Sequence, residues 1–419
     1  MEKLTIEGGG ALKGEINVSG MKNSALPIIF ATILLKGDSV IKNIPLVSDV
    51  LNSLEILREM GAKITVLDSH SVLINTDNIS TEIKAHALIS KMRASSYLMG
   101  TMLARFGHAE LPMPGGCNFG VRPIEQHLKG FSLLGAVCNE ENDFVLISTK
   151  NPLKSTKITL DKISVGATIN IVLASVFISG VTVIENVAVE PHVDDLIHFL
   201  NSAGAKIIRY GRRIFCEGVK QLHGVEYEIY PDMIEALTYL TYVGATGGEI
   251  VLKNTNTAHL SYVLDIFSKM GADVGITERE VKFRAYRALD GANVTTAPYP
   301  LFPTDLHPQF ASLLCFSKNG GIIKEGIFPT RFAYVGELQK MGACIKQGNG
   351  YIEVLPSKLH SATVNATDLR AGAALICAAL AAHGVSTINN VNYIVRGYED
   401  LTNKISSLGG KIKLLKGEQ

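Results

Sequence analysis

Several basic side chains stand where helix physics disfavours them. Lys22, Arg93 and Arg370 each open a run of small and apolar residues that reads as a helix. The N-terminal end of a helix carries partial positive charge and prefers anions, so cations there point to an anionic ligand brought to the same place. The heads of six such runs hold Lys22-Asn23, Lys91-Met92-Arg93, Lys162 with Ser164-Val165-Gly166, Asp232, Thr304-Asp305 and Thr367-Asp368-Leu369-Arg370. Ordinary N-capping also places Asp, Asn, Ser or Thr at such positions, so Asp305 and Asp368 read either as caps or as chemistry. If the six heads point into one cleft between two domains, dipoles and basic groups together make an anion trap suited to a small polyphosphorylated substrate. No long basic stripe with interleaved aromatics occurs, which argues against a nucleic-acid polymer as partner.

A second reactive constellation is the segment from Pro112 to Arg122, in which Gly and Pro residues crowd around Cys117. A loop of this composition reads as a mobile lid. Most cysteines are buried structural thiols, but here Gly115 and Gly116 leave the side chain exposed, and Arg122 can lower its pKa below the ordinary value of about 8.5. Such a thiol can exchange protons or attack near neutral pH.

The elements that must carry these groups recur along the chain. A helix-ending Gly followed by a short strand appears at Gly61, Gly135, Gly204, Gly271, Gly342 and Gly409, with gaps of 74, 69, 67, 71 and 67 residues. Six units of near-equal length follow. Each begins with a nearly uncharged helix, over 24–35, 94–105, 167–178, 234–243, 309–316 and 371–382. Apolarity all round predicts that these helices are surrounded by protein. A β-branched strand comes next, as in Ser39-Val40-Ile41-Lys42-Asn43 and Ile250-Val251-Leu252-Lys253-Asn254, and is weaker in the second unit. A more amphipathic helix such as 50–60 then ends at the Gly. The period is too long for a solenoid repeat of roughly 20 to 50 residues, and three units make a plausible domain.

At 419 residues the chain exceeds what one core supports, and two domains are the natural expectation. With 47% hydrophobic residues and a net charge of +1, it reads as a well-packed globule whose charge identifies no partner. The six cysteines, at 117, 138, 216, 315, 344 and 377, form no CxxC pair and no metal-finger spacing, so they read as reduced thiols. There is no signal-like N-terminus, no stretch long enough for a membrane span, no HExxH and no Walker-type lysine loop. The expectation is a cytoplasmic enzyme without cofactor or metal. Gly8-Gly9-Gly10 lacks the strand, helix and acidic partner of a nicotinamide-binding turn.

Seven motifs in order, Met21-Lys22-Asn23-Ser24-Ala25-Leu26-Pro27, Lys91-Met92-Arg93-Ala94-Ser95, Pro114-Gly115-Gly116-Cys117-Asn118-Phe119-Gly120-Val121-Arg122-Pro123, Ser164-Val165-Gly166-Ala167-Thr168, Phe302-Pro303-Thr304-Asp305, Ala366-Thr367-Asp368-Leu369-Arg370-Ala371 and Arg396-Gly397-Tyr398-Glu399, closely resemble those of the UDP-N-acetylglucosamine 1-carboxyvinyltransferase family of enolpyruvyl transferases. The resemblance runs from end to end. It implies an α/β fold, an inside-out α/β barrel of two domains, each of three βαβαββ units, with the active site in the interdomain cleft. Residues 21–230 would form the first domain, carrying the Cys117 lid, and 1–20 with 231–419 the second, with two crossings as a hinge.

The resemblance also implies roles. Cys117 would be the general acid and adduct-forming residue and Asp305 the base for the acceptor's 3-hydroxyl. Lys22, Asn23, Arg122 and Arg396, together with Cys117, would hold phosphoenolpyruvate, and Lys22 and Arg396 would also count among the catalytic groups. The UDP-sugar would be held by Arg93, Arg122, Lys162, Ser164, Val165, Gly166, Asp305 and Ile327, with Pro123, Ile124, Glu125, Gln126 and His127 facing the uridine. His127 reads equally as a packed, hydrogen-bonded histidine. Arg331, Asp368 and Arg370 would close the domains over the substrates, the bland alternative for both arginines being surface charge. The implied partners are phosphoenolpyruvate and a UDP-sugar, with no nucleic acid and no membrane, in a monomer or weak homo-oligomer. Met233, Val189 and His307-Pro308 depart from the family's usual Arg, basic residue and Gln-Ala, and Phe332-Ala333-Tyr334 follows Arg331 less typically. They touch no proposed catalytic group but weaken the identity of the acceptor. A shikimate-type or other nucleotide acceptor is the nearest alternative, and a non-catalytic nucleotide-sugar-binding paralogue is the alternative of a different class.

Overall fold

The computed structural model describes residues 2–82, 85–115 and 124–415. The chain forms two compact units, one of residues 2–19 and 231–415, the other of 20–115 and 124–230.

In the first unit, three helices, Met233–Thr246, His307–Phe316 and Leu369–Ala381, pack on one another at the centre. Their sequences are apolar on every side because no side meets water. Leu237, Leu240, Phe310, Leu313, Leu375 and Ile376 are all fully inaccessible. The few polar groups are spent inside: Ser312 Oγ donates to the Ala374 carbonyl at 2.7 Å, tying two of the helices together. Among the described residues, three four-stranded sheets lie around them. Leu12–Asn17 runs parallel to Gly248–Lys253, Val294–Thr295 parallel to Gly321–Lys324, and Thr363–Asn365 parallel to Gly384–Asn389. Antiparallel strands complete each sheet, and in the third one of them is Lys3–Gly8, paired between Gly384–Asn389 and Lys411–Leu415. The inward-facing residues alternate with exposed ones along these strands, as in a sheet wetted on one face.

The second unit repeats the plan. Helix Tyr97–Phe106 packs against both Lys22–Ala31 and Val165–Ser175. Gly100 makes one of these approaches possible: its amide donates to Asn170 Oδ1 at 2.9 Å, and a Cβ there would sit 2.5 Å from the Asn170 carbonyl oxygen. Among the described residues two sheets again have four strands with one parallel pair, Glu226–Glu228 beside Asp38–Lys42 and Lys157–Thr159 beside Val181–Glu185. The sheet of the weaker repeat, His108–Pro112 with Phe144–Ser148 and Val137–Glu141, has three strands among the described residues.

The second helix of every repeat ends as its sequence predicts. After Ser48–Glu59, Glu125–Leu134, Pro191–Ser202, Ser261–Lys269, Tyr334–Lys340 and Leu401–Ser407, the six glycines at 61, 135, 204, 271, 342 and 409 take φ between 84° and 104°. That left-handed conformation stops a helix, and Gly adopts it at no steric cost.

A further repeated device sits where the chain leaves the strand after four of the six inner helices. Asn43, Asn186, Asn254 and Asn390 are all left-handed, with φ of 56°, 58°, 55° and 60°. Each side-chain amide donates to a carbonyl beside the parallel strand: Ile229, Leu160, Val18 and Ala366. In the fifth repeat, the residue at this place after Gly321–Lys324 is Glu325. Among the described residues no helix is long and apolar enough to cross a membrane.

Candidate active site

Asp305 lies just before helix His307–Phe316 but does not cap it. Its carboxylate is gripped by two guanidinium groups. Arg331 Nη1 donates to Oδ1 at 2.9 Å, and Arg370 donates to Oδ2 from Nη2 at 3.0 Å and Nε at 3.2 Å. The arginine side chains are almost fully buried, at 3% and 4% exposure, so the reading of them as surface charge is overturned. Asp305 itself keeps 31% of its side chain accessible, enough for a ligand to reach. Burial alone would raise its carboxyl, but Arg370 and Arg331 outweigh that and hold it well below the usual carboxylate range.

Asp368 takes the other of the two roles open to it. It is the N-cap of Leu369–Ala381, Oδ1 accepting from the Arg370 and Ala371 amides at 2.8 and 3.1 Å. That cap fixes the backbone from which Arg370 reaches Asp305. The Arg370 guanidinium also lies 5.3 Å from the Tyr398 ring centre. Tyr398 is held in turn through its hydroxyl by Thr238 and Gln309, both at 3.0 Å. Arg396, two residues earlier, ends the 3-10 turn Val391–Arg396 and is half-buried.

Glu325 was not singled out by sequence reading, yet it organises the other side of Asp305. Its Oε1 accepts from Thr296 Oγ1 and from the Ile327 and Phe328 amides at 2.7, 2.8 and 2.9 Å. Its Oε2 accepts from Thr304 Oγ1 at 2.9 Å and meets His307 Nδ1 at 3.0 Å. Ile327, expected beside the sugar, is thus pinned through its backbone. The legible signal was the internal comparison: four other repeats carry Asn where this one carries a carboxylate.

Burial raises the Glu325 carboxyl, but hydrogen bonds from His307, the Phe328 amide and Thr296 outweigh it and hold it down to about 2, against an ordinary 4.5. A folded value below the unfolded one means stabilisation that is complete above the ordinary value and is lost as pH falls through the depressed one. We expect the wild type to lose on the order of 2 to 3 kcal/mol more stability than Glu325→Gln between about pH 5 and about pH 2. Parallel pH dependence of the two melting curves would contradict this.

In the other unit, Lys22 opens helix Lys22–Ala31 as expected but already has a counter-charge: its Nζ lies 2.8 Å from Asp49 Oδ2, and both side chains are nearly buried. Asp49 also went unrecognised in the sequence, being 27 residues away along the chain. Asn23 follows on the same turn, half-buried.

A second cluster surrounds Arg93, the first residue of the turn Arg93–Ser96. Burial lowers its guanidinium, with Tyr97 and Glu125 acting in the opposite direction. His127 lies close by. Its ring is buried and bonded to the Asn170 side-chain amide at 2.9 Å. Burial first, and then Arg93, hold it down to about 3, so it is a neutral ring. Packing is therefore the role its geometry displays. Gly166 lies against the same ring, where a Cβ would come within 2.9 Å of it. Ser164 caps Val165–Ser175 by accepting from the Ala167 amide at 3.3 Å. Gln126 exchanges two hydrogen bonds with Asp161, at 2.9 and 2.8 Å, while Ile124 is buried and Lys162 exposed.

Cys117, Arg122 and Pro123 lie outside the described residues. The approach to them shows Gly115 seated against Ser90, whose carbonyl oxygen would be 1.7 Å from a Cβ. That glycine serves close backbone contact.

Comparison with known proteins defines the class. The model of the EPSP synthase (3-phosphoshikimate 1-carboxyvinyltransferase) family matches residues 6–405, and the chain belongs to that family of enolpyruvyl transferases. Within it, the chain is 41% identical to UDP-N-acetylglucosamine 1-carboxyvinyltransferase 3 of Caldanaerobacter subterraneus over 98% of its own length and 99% of the relative's. It is 42% identical to the corresponding enzyme 2 of Clostridium acetobutylicum, over 99% of both chains, and 41% identical to that of Staphylococcus aureus, over 98% of both. The fold is that of the enolpyruvyl transferase NikO from Streptomyces tendae, with a TM-score of 0.91 at 24% identity over 100% of this chain and 99% of that one. EPSP synthase from Acinetobacter baumannii follows at 0.77 and 18% identity, covering 99% of this chain and all of that one.

Proposed function

We infer that the chain transfers the enolpyruvyl group of phosphoenolpyruvate to the 3-hydroxyl of UDP-N-acetylglucosamine and releases phosphate, the committed step toward peptidoglycan precursors in the cytoplasm. The observation that carries this is identity above 40% along the whole chain with transferases named for that acceptor.

The chemistry needs a proton on the methylene carbon, attack of the hydroxyl on the neighbouring carbon, and then departure of phosphate with loss of a proton from the methyl group so formed, which restores the double bond. In this reading Cys117 delivers the proton, and Lys22, Arg122 and Arg396 hold the phosphate and carboxylate. Fixed positive charge also stabilises phosphate as it leaves. Arg93, Ser164 and Gly166 belong to the nucleotide-sugar side, with Lys162 at its exposed edge. Asp305 faces the acceptor hydroxyl. A carboxylate depressed by two arginines is a weak base toward a free hydroxyl. It serves first as an ionised hydrogen-bond acceptor that orients the hydroxyl, and takes the proton as the new C–O bond makes that hydroxyl acidic.

The family's name favours a second acceptor, shikimate 3-phosphate. Mixing the protein with phosphoenolpyruvate and each acceptor in turn, and following phosphate release, decides between them. Release is expected with the UDP-sugar, and its absence there would overturn the assignment.

A further inference from the structure

The two departures at His307 and Tyr334 meet in space. His307 is wholly buried, with Nδ1 3.0 Å from Glu325 Oε2 and Nε2 2.7 Å from the Tyr334 hydroxyl. Phe332 and Tyr334 stand edge-on to the ring, with centroids 5.2 and 5.4 Å away.

The hydrogen-bond directions follow from the donor inventory. A carboxylate only accepts, so Nδ1 of His307 carries the proton given to Glu325, and Nε2 accepts from the Tyr334 hydroxyl. Thr304 likewise gives its one hydroxyl proton to Glu325, which leaves its oxygen lone pair to accept from Arg331 Nη1 at 3.0 Å. The same Nη1 reaches Asp305 Oδ1 at 2.9 Å. One ordered chain thus runs from Tyr334 through His307, Glu325, Thr304 and Arg331 to the reactive carboxylate. The repeat comparison supports a dedicated role: the position taken by a left-handed, strand-capping Asn in four repeats is given to Glu325 in the repeat that carries Asp305.

We propose that His307 is a positioning residue which, oriented by Tyr334 and acting through Glu325 and Thr304, sets Arg331 and hence the direction in which Asp305 presents its carboxylate to the acceptor hydroxyl. The activity part of this rests on the transferase reading above. The ordering of Arg331 does not.

The test uses the full chain with three variants. His307→Leu removes both polar contacts, His307→Gln keeps one donor and one acceptor at similar reach, and Tyr334→Phe removes only the hydroxyl. For a misdirected carboxylate we expect His307→Leu to lower kcat about 10- to 100-fold. The KM for phosphoenolpyruvate should stay within about twofold, and His307→Gln should recover most of the loss. A folded His307→Leu with wild-type kcat, or with losses spread equally over both substrates, overturns the proposal. Should that variant fail to fold, Tyr334→Phe decides, a several-fold fall in kcat at constant phosphoenolpyruvate KM supporting the relay and an unchanged kcat refuting it.

A second readout needs no turnover. The Arg331 guanidinium protons, followed by 15N NMR of the free protein, should be resolved in wild type and His307→Gln and should broaden in the weakened variants. Broadening with a wild type inactive toward the UDP-sugar would sink the acceptor assignment and leave the relay standing. An unchanged Arg331 signal would sink the relay alone.

Discussion

Asp305→Ala is expected to lower turnover by about 10³-fold, within the range of about 10²- to 10⁴-fold for a positioned acid or base. Binding of the UDP-sugar should survive, because most of the groups proposed to hold it lie elsewhere. The substitution also carries a structural cost. It leaves Arg331 and Arg370 buried without the carboxylate that both of them grip. Removing one partner of a buried ion pair costs about 3 to 5 kcal/mol, and the low end applies because Asp305 retains 31% side-chain exposure. Asp305→Asn, which keeps the shape and one acceptor oxygen, should recover part of the stability and little of the rate. Phosphate release measured beside melting curves separates the two effects. Turnover above about a tenth of wild type in a folded Asp305→Ala would show that another group handles the hydroxyl proton.

Cys117→Ser should abolish covalent labelling by phosphoenolpyruvate-like electrophiles such as fosfomycin and lower turnover by about 10²-fold or more. The other cysteines give this experiment its contrast. Cys216, Cys315 and Cys377 are buried, and burial pushes the first two thiols up to about 12 and the third higher still. A thiol so raised holds almost no thiolate at neutral pH, and the thiolate is the nucleophile. Burial also raises Cys138, which is half-buried. Cys344 is exposed and serves as the internal control for non-specific reaction. Intact-mass spectrometry should therefore find one adduct per wild-type chain and none on the variant. Peptide mapping that places the adduct on any other cysteine would reject the role of Cys117.

The departures at His307 and Tyr334 show what kind of information was illegible. Read singly, each looked like a loss of fit to the acceptor. Folded, they form one hydrogen-bonded pair behind Glu325, 27 residues apart along the chain. In sequence Lys22 reads as a cation waiting for a ligand, but Asp49 already shares its charge. Asp305 and Asp368 were indistinguishable as capping candidates, because a cap is defined by where the next amides point. The structure makes Asp368 the cap and Asp305 the partner of two arginines.

Local physics wrote the repeating frame into the sequence. A glycine that must be left-handed ends each outer helix, an apolar run with no polar face makes each inner helix, and charged residues gather at the inner helices' heads. These depend on residues within a few turns of one another, so composition and spacing suffice to reveal them. Only the tertiary structure decided the pairings of Asp305 with Arg331 and Arg370, 26 and 65 positions away, and of Glu325 with His307, 18 away. Such contacts are selected when sheets and helices close around a common core, because burying a charge forces it to find a partner that sequence distance does not name.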